Sequence, residues 1–428
     1  MVNPVDFIHK LRYEDIPEEV REAARICLMD ATGSMLGGMR DRGVQKLAGA
    51  IADRHPGTSR IAGSRLTTTR AWAAFINTHS CSYFDIDDGH RKAQGHPGGI
   101  IVPISLMLAA EAGAGGRELL TAVVAGYEIA VRSALLVREA GGPRKGSGGW
   151  SIFGGVAAAA RLLGFSREQI QDSLGLAEYY APQAPQDNSL ASPSSMKEGM
   201  AWAAHATISI TELAGIGFDG MVPSLVGSPY CTDLGTNWEI GSTYYKMYAC
   251  CRFSHPVLDG LSSLLEKGLR VEEIESVTVT SFAKAMLLNH LTPVNPVAAM
   301  YSIPFIIGCF LVNGRIGVED MGEDSLNNPA ILAMARKIRL VEDLELTRQF
   351  PLQCLARISV RLKDGNTIDS EVLSARGDPD NPYTREELEE KFRHLTIGIG
   401  RTASERLIGE ISALENGSPE KLWQDMVL

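Results

Sequence analysis

Residues Ser82–Gly98 read Ser-Tyr-Phe-Asp-Ile-Asp-Asp-Gly-His-Arg-Lys-Ala-Gln-Gly-His-Pro-Gly, and place three carboxylates and two imidazoles between two apolar segments. The flanking stretches, Thr69 to Tyr83 and Ile100 to Ala112, have the length and apolar spacing of helices. A polar, glycine-punctuated loop between two buried helices carries too many titratable groups for an ordinary connector. Gly89, Gly95, Gly98 and Gly99 let it fold back on itself and gather Asp85, Asp87, Asp88, His90 and His96. The fold is therefore expected to be a helical core built around this loop.

Working outward, Asp15-Ile-Pro-Glu-Glu opens a helix with an acidic first turn, which runs to about Met35 before Gly37-Gly38. Val20, Ala24, Cys27, Leu28, Ala31 and Met35 form one apolar stripe along it. Helices are also expected over Arg117–Val137, Ser151–Leu163 and Arg167–Tyr180, many of them rich in alanine and glycine, which permits close helix packing. After His255 the texture changes. Glu273–Ser281 alternates apolar and polar residues with β-branched enrichment, and Ala356–Ser370 alternates on both sides of Asp364-Gly365, a hairpin signal. Helices at Pro256–Lys267, Pro296–Leu311 and Asn328–Ile338 separate these strands. Helical runs at Tyr383–Leu395 and Thr402–Glu415 close the chain. The reading is mainly α with a smaller α+β domain: a helical domain over 1–250 to which 390–428 returns, and an α+β lid over 251–389.

The chain has 428 residues, 45% hydrophobic and 21% charged, with a formal charge of −10, the balance of a globular protein with a large core. An acidic chain argues against a nucleic-acid or anionic-membrane surface, so neither partner is expected. No apolar stretch reaches the roughly 18 uninterrupted residues of a membrane span, and Met1–Arg12 lacks a basic flank followed by an apolar run. A cytoplasmic protein is expected. Seven cysteines without a C-x-x-C pair indicate reduced core thiols. Walker A, H-E-x-x-H and dinucleotide fingerprints are absent from the sequence.

Two lysines stand out. Lys197, in Ser195-Met-Lys-Glu-Gly-Met-Ala-Trp, is expected in the first turn of an otherwise apolar helix, where a cation gains nothing from the helix dipole. Lys246, in Tyr244-Tyr-Lys-Met-Tyr-Ala-Cys-Cys-Arg-Phe-Ser-His255, lies at the expected domain junction, where small-molecule sites form. Gly146-Ser-Gly-Gly149 precedes a helix and could receive an anion, although flexible connectors share its composition. The Asp85, His90 and His96 set also suits a divalent metal, but we assign none.

Taken in order, Asp85-Ile-Asp-Asp with His96-Pro-Gly, Lys197 before Gly-Met-Ala-Trp-Ala-Ala, Gly217-Phe-Asp-Gly220, and Lys246 ahead of Cys-Cys-Arg-Phe-Ser-His resemble the MmgE/PrpD family. That family includes 2-methylcitrate dehydratase, cis-aconitate decarboxylase and iminodisuccinate epimerase. The resemblance implies a helical domain built from both chain ends, an α+β lid, a homodimer, and a junction site without a required cofactor. The implied substrate is a small polycarboxylate that undergoes proton transfer at a carbon next to a carboxylate, in a dehydratase-type or epimerase-type reaction, with decarboxylation or non-catalytic binding as alternatives.

Carried over by position, Asp85, His96, Lys197 and Lys246 enter the site. Here His96 is taken as a neutral base, His90 as a second acid–base candidate, and the lysines as cations for a substrate carboxylate. Lys145, Cys251 and His255 are placed on the substrate-binding side. The sequence departs from the decarboxylase pattern at several positions. Gly89 stands for a threonine, the loop histidine falls near Lys145, a second histidine falls near Cys251, and a tyrosine falls near Phe305.

Overall fold

The computed structural model describes residues 2–427. Seven long helices build the first core: α1 (Glu18–Gly38), α2 (Arg70–Ser82), α3 (Gly98–Ala112), α4 (Gly116–Glu139), α5 (Gly148–Leu162), α6 (Arg167–Tyr180) and α7 (Met200–Gly215). Local chemistry sets several of their ends. Ser166 and Gln169 form a capping box at the start of α6, and Gly113, at φ 63°, closes α3. The stretch Tyr13–Asp15 forms a separate short turn, so α1 starts at Glu18 rather than at Asp15. It also runs on through Gly37-Gly38, the pair expected from the sequence to end it. A Cβ on Gly38 would lie 1.9 Å from the Ser80 carbonyl oxygen, so this glycine serves the close crossing of α1 and α2 rather than a stop.

Helix α4 is long and apolar enough by length and composition to cross a membrane. It instead occupies the interior of the helical core, where its own Glu128 and Arg132 pair at 2.6 Å, both buried. A buried pair one turn apart satisfies two charges that a lipid-facing helix would leave bare.

Further on, α8 (His255–Glu266) and α9 (Ile303–Asn313) accompany a five-stranded sheet. Among the small strands that precede it, β1 (Gly89–His90) and β2 (Thr243–Tyr244) pair antiparallel as Gly89↔Tyr244 and His90↔Thr243. The sheet comprises β3 (Ile274–Ser281), β4 (Ile338–Glu342), β5 (Leu355–Leu362), β6 (Thr367–Asp369) and β7 (Leu373–Ser374). Its order is β4-β3-β5-β6, with β7 also on β5. β5 and β6 are the hairpin expected around Asp364-Gly365, in register Val360↔Ile368. Val277, Val279, Ile358 and Val360 bury one face of the sheet in a second core.

Two expectations in this half need correction. The helix expected over Pro296–Leu311 is broken into Pro296–Met300 and α9. Pro304 lies in the first turn of α9, where its missing N–H costs nothing, and Ser302 caps that turn by accepting the Phe305 N–H at 3.1 Å. The helix expected over Asn328–Ile338 ends at Ala335, and Ile338 starts β4, which runs parallel to β3.

The chain then passes through α10 (Arg385–Leu395), α11 (Arg401–Ser412) and α12 (Pro419–Asp425). Leu388, Phe392, Leu407, Ile411 and Trp423 on these helices are buried in the first core with α1 to α7. Between the two cores, the β1/β2 ladder ties the Asp85–His96 loop to the segment carrying Lys246, and so fixes their junction.

Candidate active site

The loop leaves α2 and turns left-handed at Asp85, φ 53°, a conformation that aspartate tolerates better than most residues and that marks a constrained site. Asp85 Oδ1 accepts from Lys197 Nζ at 2.8 Å and Lys246 Nζ at 3.0 Å, and faces His96 Nε2 at 3.1 Å. Lys246 also donates to the main-chain carbonyl of Asp85. All four side chains are buried. Lys197 lies ahead of α7 rather than in its first turn. The left-handed pair Glu198-Gly199 separates it from the helix, which turns its ammonium back toward Asp85.

His96 is held from its other side. Its Nδ1 lies 2.7 Å from the Asp88 carbonyl, which can only accept, so Nδ1 carries a proton and proton exchange falls to Nε2, whose neighbour is the Asp85 carboxylate. Asp87 Oδ2 sits 3.4 Å from the same Nδ1. Asp88 in turn accepts from Tyr127 at 2.5 Å and from the Gly98 N–H at 3.1 Å. A Cβ on Gly98 would come 2.2 Å from the Tyr127 hydroxyl, so only glycine lets α3 start this close to the acid.

The glycine-rich start of α5 does receive an anion, and that anion is internal. Ser147 donates to Glu198 Oε2 from its N–H at 3.0 Å and from its hydroxyl at 2.5 Å, and the same hydroxyl oxygen accepts the His96 N–H at 3.1 Å. Gln186 donates to the other Glu198 oxygen at 3.2 Å.

These contacts set the charges. Burial alone would raise Asp85, but Lys197, Lys246 and His96 hold it well below the usual carboxylate range. Burial would lower His96, whereas Asp87 pulls it up against the two lysines, the Asp85 hydrogen bond adds to this, and it is raised to about 9. His96 is therefore an imidazolium at neutral pH, not the neutral base expected from its reference value. Burial also raises Asp88, to about 7. Glu198, despite its burial, is drawn down to about 2 by Lys197, His96 and Ser147.

Asp85, His96, Glu198, Arg144, Tyr301 and Cys251 all contribute to the wall of one cleft between the two cores. Lys197 and Lys246 do not line it. Their side chains are 1% and 0% exposed, and they stand behind Asp85 as its counter-ions. The sequence reading offered them to a substrate carboxylate; in the structure each is committed to Asp85.

The remaining candidates divide. His90 borders the cleft, but its Nδ1 accepts from the Ala93 N–H at 3.3 Å and its Nε2 meets the Glu239 carbonyl at 3.1 Å. Burial lowers it to about 4, so the ring is a neutral post for the loop with neither nitrogen free. Lys145 points out of the cleft, donating to the Gln183 carbonyl at 3.0 Å, while its neighbour Arg144 faces in. His255 is buried against Tyr248 and the Cys250 carbonyl, away from the cleft wall. Phe305 is buried in α9. Tyr301, at the break before α9, does line the cleft, and its buried hydroxyl has no partner among the described residues.

Sequence reasoning thus missed Arg144, Glu198 and Tyr301, along with Arg91 and Arg252, which line the cleft while pairing with Asp378 at 2.6 and 2.8 Å. Arg252 and Glu198 adjoin the lysine motifs, and the Ser302/Pro304 cap would have located Tyr301. Ligand atoms of Asp85, Asp87 and His96 lie within 4.8 Å of one another. Two ammonium groups already sit on Asp85 Oδ1, and they would repel a divalent cation placed there.

A helical core joined to an α+β unit, with a buried acid–base cluster at their junction, defines a site for small-molecule chemistry rather than a docking module. The chain belongs to the MmgE/PrpD family: the MmgE/PrpD N-terminal domain matches residues 5–229 and the MmgE/PrpD C-terminal domain matches residues 248–416. It is 26% identical to a cis-aconitate decarboxylase-like protein, oryM, of Aspergillus oryzae, over 94% of this chain and 91% of that one. It is 24% identical to human cis-aconitate decarboxylase, over 90% of this chain and 85% of the relative. A 2-methylcitrate dehydratase of Cupriavidus necator is 25% identical over 87% and 84%.

Proposed function

We propose that the chain is a cofactor-independent lyase that acts on a small di- or tricarboxylate, with His96 as the proton donor. The observation that carries this reading is the His96 imidazolium, pinned by Asp88 and faced by Asp85, on the wall of a cleft rich in guanidinium groups. Relatives named as decarboxylases and a dehydratase support the lyase class.

The available protons favour decarboxylation over dehydration. Loss of CO2 leaves the bonding electron pair on carbon, and one proton from Nε2 completes the product; solvent then restores the imidazolium. Dehydration also needs a base for the α-proton. The carboxylates on the wall, Asp85 and Glu198, are both held low by neighbouring cations and are weak bases. Two-base epimerisation is disfavoured by the engagement of both His90 nitrogens. We also carry the homodimer as part of this reading. Tyr179, Trp202, Ile216, Phe218 and Val222 are exposed large apolar residues on α6, α7 and the segment after α7, which a second copy would cover.

The test is a panel of cis-aconitate, citrate, methylcitrate and iminodisuccinate-type acids in D2O, with and without chelator, followed by NMR and by CO2 release. Release of CO2 with one deuterium in the product is expected, undiminished by chelator; release of water, whose alkene product carries no solvent deuterium, would replace the decarboxylase with a dehydratase. Solvent exchange at the α-carbon without elimination would replace the lyase with an epimerase, and no turnover of any acid would favour a binding protein.

The pH profile follows from the sign of the His96 shift. A donor raised to about 9 is charged below that pH, so kcat/KM is expected to be level through neutrality and to fall as pH rises through about 9. A base at this position would give the opposite limb, with activity climbing toward pH 9. Steady-state rates between pH 6 and pH 10 distinguish the two.

A further inference from the structure

The cleft contains guanidinium groups that the cluster around Asp85 does not use. Arg91 and Arg252 both close on Asp378, which leaves one positive charge in excess between them. Arg144 adds another. It is half-buried on the cleft wall and, among the described residues, has no carboxylate partner. The nearest acids are otherwise committed, Asp187 to Lys284 at 2.6 Å and Glu198 to Ser147 and Gln186. Its guanidinium carbon lies 5.7 Å from the Phe350 ring centroid, within cation–π range.

The main chain around Arg144 is fixed too. Its carbonyl accepts the Gln186 N–H at 2.8 Å, and Lys145 pairs with Pro185. Desolvating a guanidinium without an anion is costly, and the cost is recovered when a carboxylate arrives and takes two parallel hydrogen bonds from the fork. Lys197 and Lys246, by contrast, already hold Asp85 and are sealed off from the cleft.

We propose that Arg144 forms a subsite for a further substrate carboxylate, the one that a tricarboxylate carries beyond a dicarboxylate and that is remote from the carbon that gains the proton, so that the chain selects acids with this extra carboxylate over their truncated analogues. This rests on the polycarboxylate reading above and deepens it. Arg144 is a specificity residue, and the step it serves is binding, not proton transfer.

The test is calorimetric binding of tricarballylate and of methylsuccinate, which lacks one terminal carboxylate, to wild type, Arg144→Ala and Arg144→Lys at fixed ionic strength. Wild type is expected to prefer tricarballylate. Arg144→Ala should weaken tricarballylate by about tenfold or more, roughly 1.4 kcal/mol, and leave methylsuccinate within about twofold; Arg144→Lys should recover part of the loss. Equal weakening of both acids, or no change in either, overturns the subsite while leaving the carboxylate reading standing. A wild type that binds neither acid overturns that reading and the subsite with it. Unfolding curves for both variants identify any loss of affinity that comes from loss of fold.

Discussion

His96→Asn is expected to lower turnover and product deuteration by about 10²- to 10⁴-fold, the usual contribution of a positioned acid or base. The fold should survive. An asparagine amide can still donate to the Asp88 carbonyl, which His96 Nδ1 holds at 2.7 Å, and Asp85 keeps both lysines. Affinity for tricarballylate should largely persist, because His96 acts on the reacting carbon. The fall in activity near pH 9 should also disappear with the imidazolium. Turnover within a few-fold of wild type, measured by NMR in D2O, would remove His96 from the proton-transfer role.

Lys246→Met is expected to cost about 3 to 5 kcal/mol of folding stability, the range for breaking a buried ion pair from one side. Lys246 is fully buried and donates to both the carboxylate and the carbonyl of Asp85, so its loss leaves a buried anion short of one counter-ion. The sign with pH is fixed by Asp85. A carboxyl held below its ordinary value stabilises the fold above that ordinary value, near 3.8, and the contribution fades as pH falls through the lowered one. The variant should therefore lose part of its advantage at neutral pH and little in strong acid. Adding Asp85→Asn should recover stability without recovering turnover. Denaturant titrations of the three proteins measure this, and a Lys246→Met protein as stable as wild type would show that the pair is not structural.

The helical half and the hairpin were legible in the sequence because their signals are local: apolar spacing over α2 to α6, and Asp364-Gly365 between alternating strands. The acid–base loop was legible by the density of its charges. The direction of each side chain was not. Asp85 with Lys197, and Asp85 with Lys246, are separated by 112 and 161 positions, and nothing local says that the ammoniums would face the aspartate rather than the cleft. The same limit applied to protonation. His96 read as neutral from its reference value, and its charge depends on Asp87 being folded against it. Tyr301 stayed hidden because an apolar run was carried straight through the Ser302/Pro304 cap, and Arg144 because its neighbour Lys145 occupied the expected position.

Lys391, on α10, donates to the Ile86 carbonyl at 2.7 Å and to Asp30 at 2.5 Å, so a helix near the end of the chain clamps the main chain one residue beyond Asp85. These partners are 305 and 361 positions away in sequence. During synthesis the earlier helices can collapse as they emerge, whereas this clamp must wait for nearly the whole polypeptide. A chain that has emerged only as far as Lys246 already carries Asp85, His96 and both lysines, yet the loop that bears the acid gains this anchor only when α10 docks.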